Sequence, residues 1–186
     1  MKLIWDRIHA WLADNAPEVL ASLQPGATDE QIRAAETELG VTFPADVKAA
    51  YRIHNGQAEG PRGYPPAFLY GWEWLSLERI LDEWGVWKGL VEGGEFEDCE
   101  SEPDEGVRND WFNLAWVPLT YSGSGDHHCL DLDPAEGGRA GQIIQMWHDA
   151  TERPLLAPSF GEWLGEFADD LDAGVYNVTE YGLEES

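Results

Sequence analysis

Between residues 126 and 133 the chain carries Asp126, His127, His128, Cys129, Asp131 and Asp133, a density of carboxylate, imidazole and thiol that could hold a metal or move protons. Strand alternation limits that reading. His127, Cys129, Asp131 and Asp133 share one face, and His128, Leu130 and Leu132 share the other. Adjacent histidines cannot both enter one site without a bulge. His148 joins His128 only if the strands pair in the right register. The spacing matches no zinc or EF-hand pattern, so no metal ligand and no cofactor is assigned. The preceding Gly123-Ser124-Gly125-Asp126 lacks the Lys and the following helix of a phosphate-binding loop, and Asp126 would repel phosphate; it reads as a hairpin turn. There is no Gly-x-Ser-x-Gly. Cys99 lies among carboxylates, a setting that dulls a thiol, and Cys129 reads as a small buried hydrophobe. No catalytic residue is assigned, and the chain is not read as an enzyme.

Charge is the stronger clue. Thirty-six acids face eleven bases in 186 residues, a formal net charge of −25. Such a field repels nucleic acid and anionic membranes, and it draws in basic partners; solubility or adaptation to salt is the plainer alternative. Eight acids, Glu92, Glu95, Glu97, Asp98, Glu100, Glu102, Asp104 and Glu105, fall within residues 92–105 with no base among them. Such a block repels itself and is expected to stay solvated or loosely ordered. The two cysteines form no disulfide framework, residues 1–7 break into charges too early for a signal peptide, and no apolar run approaches the ~18 residues of a membrane span. The cytoplasm is the expected home.

The elements that must position these groups follow from periodicity and caps. Residues 2–15 read as a helix with Ile4, Trp5, Ile8, Trp11 and Leu12 on one face, and Pro17 ends it or begins a new turn. Thr28 and Gln31 have capping-box form and open a helix that carries Ile32, Ala35 and Leu39 inward, up to Gly40. A third helix is expected over 45–54, and a fourth over 77–91 behind Ser76. Residues 57–66 are loop, and 68–70 are a short strand candidate. Trp72 and Trp74 share a face, as core or as part of an exposed binding surface, with core favoured. Strands are expected at 116–121, 127–132 and 141–148, the last central because both its faces are apolar; Leu155-Leu156 is a short fourth strand or an extended link. Ser159 and Glu162 form a second capping box ahead of a helix that ends at Gly174. Helices, then sheet, then helix favours an α+β single domain over 1–174, with N-terminal helices and a C-terminal helix on a mostly antiparallel sheet. Residues 92–110 are an acidic insertion or loop, and 175–186 a short, half-ordered tail.

Several stretches carry a family likeness. Pro25-Gly26-Ala27-Thr28, Ile32, Glu36, Leu39-Gly40-Val41, Phe43-Pro44, Tyr51 and His54-Asn55-Gly56-Gln57 resemble the N-terminal signature of the SUKH superfamily of Smi/Knr-type proteins. Trp116-x-Pro118, Gly123-x-Gly125-Asp126, Leu130-Asp131-Leu132-Asp133-Pro134, Gly141-Gln142-Ile143, His148-Asp149 and Ala157-Pro158-Ser159-Phe160-x-x-Trp163-Leu164 match in order. The resemblance implies an α+β domain without catalytic residues. It further implies either a bacterial immunity protein that binds a toxin domain, often a nuclease, or a fungal cell-wall-assembly regulator. Joined to the charge, it favours an immunity protein that occludes the basic active-site surface of a cognate toxin, with a non-catalytic regulator or scaffold as the alternative. The expected partner is thus a basic protein domain, not nucleic acid or membrane. Its expected contact residues are Glu95, Glu97, Asp98, Glu100, Glu102, Asp104, Glu105, Asp126 and His127.

Overall fold

In the computed structural model, which describes residues 1–185, each helix buries apolar residues, and three of the six begin at a side-chain cap. α1 (Lys2–Asn15) buries Trp5, Ile8 and Leu12. Pro17 opens a new helix, α2 (Pro17–Ser22), at a position where its missing N–H is no loss. Thr28 begins α3 (Asp29–Leu39) with both halves of the capping box: its hydroxyl accepts from Gln31 N at 3.2 Å, and its own N–H donates to Gln31 Oε1 at 2.8 Å. α4 (Ala45–Tyr51) is shorter than expected, because Asn55 N turns away to Pro25 O. Ser76 caps α5 (Leu77–Glu92) through Arg79 N. Ser159 caps α6 (Phe160–Ala173), which buries Phe160, Trp163, Leu164, Phe167, Ala168 and Leu171. The Glu162 carboxylate takes the Ser159 hydroxyl at 3.2 Å instead of reaching the backbone N–H of a full box.

The strands are β1 (Glu73–Trp74), β2 (Glu102–Pro103), β3 (Trp116–Pro118), β4 (Thr120–Tyr121), β5 (His127–Asp131), β6 (Gln142–Met146), β7 (Glu152–Arg153), β8 (Leu155–Ala157), β9 (Tyr176–Thr179) and β10 (Gly182–Glu185). The main sheet runs β3-β5-β6-β8 and is antiparallel throughout. β6 lies inside it, as its two apolar faces predict, and every residue of β5 and β6 is buried. α6 packs on this sheet and α1 packs on α6. The architecture is α+β.

Five expectations need correction. The strand expected at 116–121 splits at Leu119, whose N–H bonds His128 O while its carbonyl accepts from Leu75 N; beyond it β4 pairs with β1. Residues 68–70 form a tight turn, not a strand: Phe68 N bonds Trp72 O at 2.9 Å. Tyr70 sits there at φ 53°, rare for a bulky side chain, held by stacking on Trp163 at 5.0 Å and by its hydroxyl donating to Trp163 O at 2.7 Å. Trp72 and Trp74 part company at this turn: Trp74 is fully buried, whereas Trp72 is half-buried and stacks on His128 at 4.2 Å. The expected tail is a β9–β10 hairpin whose Leu183 is fully buried; Ser186 lies outside the described residues. The acidic stretch, finally, keeps its carboxylates in solvent as expected, but its backbone is fastened rather than loose, as described below.

Two glycines are required by close backbone approach. A Cβ on Gly56, at φ 67°, would lie 2.3 Å from Ser76 N. One on Gly182, at φ 120°, would lie 2.3 Å from Ala67 O, which joins the hairpin to the 66–68 segment.

Candidate interaction surface

The polar residues of β5 are dispersed by the fold. His127 has no exposed surface. Its Nδ1–H donates to Thr120 O at 2.7 Å and its Nε2 accepts from Trp87 Nε1 at 3.1 Å, so the ring is neutral, and burial lowers its pKa. His127 therefore leaves the set of partner contacts, because the strand bearing it runs through the core. His128 faces Thr120 Oγ1 at 2.8 Å, and burial pushes its pKa down to about 3. Asp131 accepts from Gln142 Nε2 at 2.8 Å and from Asp133 N at 3.0 Å, and burial holds its pKa above the usual carboxylate range. Asp133 pairs with Arg108 at 2.9 Å. Asp126 is only 8% exposed and is consumed locally. Its Oδ1 accepts from His148 N at 3.0 Å and from His148 Nδ1 at 2.7 Å, and its Oδ2 accepts from the Ser122 and Ser124 hydroxyls, each at 3.1 Å. His148 thus meets Asp126 and not His128. Asp126, His148 and Asp149 hold ligand-type atoms within 4.8 Å of one another, a proximity that the Asp126–His148 hydrogen bond itself accounts for.

The acidic stretch is built differently. Phe96 reaches back to Trp87 and Trp111, with ring centroids 5.9 and 6.2 Å away, and Trp87 stacks on Phe112 at 4.9 Å. Beneath Trp111 lies the fully buried Arg153, its guanidinium 5.1 Å from the ring centroid. Arg153 donates to the carbonyls of Trp111, Ala150 and Glu152 at 2.7–2.8 Å. The parallel β2–β7 pair adds Glu102 N to Thr151 O at 2.7 Å and Asp104 N to Arg153 O at 3.2 Å. Ser101 N bonds Asn109 O at 3.1 Å, and Asp104 Oδ2 accepts from Leu155 N at 2.9 Å.

On this base Glu95, Glu97, Asp98, Glu100, Glu102, Asp104 and Glu105 are all exposed. A hollow of about 420 Å³ opens beside two of them, Glu97 and Glu100, and is lined also by Phe96, Trp111, Phe112 and Asp110. Carboxylates beside aromatic faces suit lysine and arginine side chains, which gain from both.

Other signature residues are joinery. Glu36 accepts from Phe43 N at 2.7 Å and pairs with Lys48 at 2.7 Å. Asn55 Oδ1 accepts from Leu77 N at 3.0 Å. Gln57 accepts from Trp74 N at 2.8 Å and donates to Ser22 Oγ and Pro66 O, both at 2.9 Å. The sequence reading missed Arg153 and the aromatic base of the platform. One local signal was available: Phe96 interrupts the acids, and Trp111-Phe112 follows them closely. Arg153 gave none, because its partners are carbonyls that the fold brings to it.

Comparison with known proteins follows the same lines. A sequence model of the SMI1/KNR4 family (SUKH-1) matches residues 26–166. The chain is 29% identical over 211 aligned positions to the cell wall assembly regulator SMI1 of Saccharomyces cerevisiae, covering 96% of this chain and 42% of that protein. It is 29% identical over 188 positions to the cell wall biosynthesis/cell cycle regulator smi1 of Schizosaccharomyces pombe, covering 95% and 37%. Against F-box only protein 3 of Bos taurus it is 39% identical over 186 positions, covering 96% and 36%. The chain spans about two fifths of the length of these relatives.

Proposed function

This chain belongs to the SMI1/KNR4 (SUKH-1) family, and from that premise we propose that it is a non-catalytic regulatory binding module that docks a basic segment of a partner protein on the 95–105 platform. The yeast relatives are named as regulators, which favours this reading over toxin immunity. The observation that carries it is a row of seven exposed carboxylates held on a fastened aromatic base, with no lysine or arginine between Lys88 and Arg108. Nucleic acid and anionic membranes are repelled by the same field. No helix among the described residues is long and apolar enough to cross a membrane.

The test replaces the seven acids with Gln or Asn and compares the proteins retained from host lysate at low and high salt. Basic partners held by the wild type at low salt are expected to be released at high salt and to be absent from the variant. An identical retained set would sink the proposal. Toxin immunity stands second, on the single observation that a chain of net −25 complements a basic nuclease cleft. Co-expression with an adjacent toxin gene decides it: protection by the wild type and none by the variant is the outcome that reading requires.

A further inference from the structure

We propose that a second groove, between the 57–66 loop and the β1–β4 ladder, binds an extended protein segment in which lysine or arginine stands beside proline or an aromatic residue. It is independent of the platform. Glu78 at the groove and Val91 at the platform hollow lie thirteen residues apart on α5, roughly 20 Å along its axis.

The groove consists of two adjoining hollows of about 550 and 280 Å³ that share Tyr64, Pro65, Glu73 and Tyr121. Its apolar end includes half-buried Trp72 and the ring of Tyr181, which the β9–β10 hairpin presents with 52% exposure. Tyr64, 47% exposed, stands between the two ends. Its other end carries the carboxylates of Glu59, Glu73, Glu78 and Asp82. Aromatic and proline walls of this kind take extended segments, whose backbone needs no partner strand.

Charge selects the occupant. Among the lining residues Arg79 is the single base against four acids, and Arg62 at the edge lies 5.7 Å from the Tyr181 ring centroid, where it pairs with Glu180 at 3.7 Å. Its guanidinium sits 5.8 Å from the Tyr121 ring centroid and pairs with Glu83 at 2.7 Å, Glu73 at 3.6 Å and Asp82 at 3.9 Å. The groove thus already holds one guanidinium between an aromatic face and carboxylates, and acids remain in excess. Burial keeps the Glu73 carboxyl above its usual range even with Arg79 beside it, so a further cation nearby would favour its ionised form. An anionic segment is repelled here. A second copy of the chain, itself at −25, is repelled too. The walls are set in advance: Gln57 ties the loop to Trp74, Ser22 and Pro66, and Gly56 abuts Ser76.

The probe is a fluorescein-labelled peptide of three Arg-Pro-Tyr repeats, titrated with the full chain and read by anisotropy. A peptide of three Arg-Gly-Ser repeats has the same charge and no rings. The ringed peptide is expected to bind about tenfold tighter than the other, as buried aromatic anchors do. Tyr64→Ala is expected to weaken it about fivefold, and Glu59→Gln with Asp82→Asn by a similar factor. The seven-acid platform variant should bind it within about twofold of the wild type. Equal affinity for the two peptides, or indifference to the groove substitutions, overturns the proposal. Loss of binding in the platform variant instead assigns the peptide to the platform and overturns it as well. None of these outcomes depends on whether the platform retains a lysate partner.

Discussion

The carboxylate of Asp126 accepts four hydrogen bonds, from the backbone and ring of His148 and from the hydroxyls of Ser122 and Ser124. Alternation and turn chemistry made the Gly-Asp turn legible in the sequence. His148 was not, because it lies twenty-two positions away and meets Asp126 only through the β5–β6 register. Asp126→Ala is expected to lower unfolding stability by about 1–3 kcal/mol in urea titration, with Asp126→Asn intermediate, since donors lose their acceptor. The histidines respond to pH in opposite senses. The Asp126 carboxylate holds the His148 pKa above 6.5, so that contribution is full below 6.5 and fades as pH rises through the raised value. His128, pushed down to about 3, contributes fully above 6.5 and loses its contribution as pH falls. Lowering the pH to 5 is thus expected to remove about 2 kcal/mol through His128 alone, at 1.36 kcal/mol per pH unit. In His128→Asn the fall in urea stability between pH 7.5 and 5 should shrink by about that amount; an undiminished fall would exclude His128 as its source.

Longer elements were readable and the shortest were not. Thr28, Ser76 and Ser159 each cap the helix expected of them, and both faces of β6 announced its interior position. A two-residue strand has no periodicity to read, and β1, β2, β4 and β7 exist only through their partners. The left-handed Tyr70 likewise owes its conformation to Trp163. Gly56→Ala should cost about 2–4 kcal/mol, because a methyl group cannot coexist with Ser76 N at 2.3 Å and the φ of 67° disfavours it. Melting-temperature loss measures this, and a neutral result would mean that the loop and the α5 cap can separate without penalty. Arg153→Ala removes donors from three carbonyls and the cation beneath Trp111. Amide exchange over 96–111 should then quicken about tenfold or more while β5 and β6 stay protected. Uniform exchange across both regions would show that the platform and the sheet open as one.

At the scale of the molecule, the −25 charge was plain from composition, and the order of the motifs pointed to the family across residues 26–166. What composition could not convey is that the segment bearing the densest acids is fastened through Phe96 to aromatic rings, with the carboxylates themselves in solvent. Self-repulsion at this charge opposes the compact state, so added NaCl up to about 0.5 M should raise the melting temperature by a few degrees. An unchanged melting temperature would mean that the acids are spaced widely enough not to sense one another. The parallel pairing of Glu102 with Glu152 and Pro103 with Arg153 joins positions fifty apart. During synthesis the acidic stretch therefore leaves the ribosome well before the residues that anchor it, by roughly 3–10 s at 5–20 residues per second. A nascent chain of this protein carries its full complement of these carboxylates but not their arrangement, so the platform itself exists only once translation has passed Arg153.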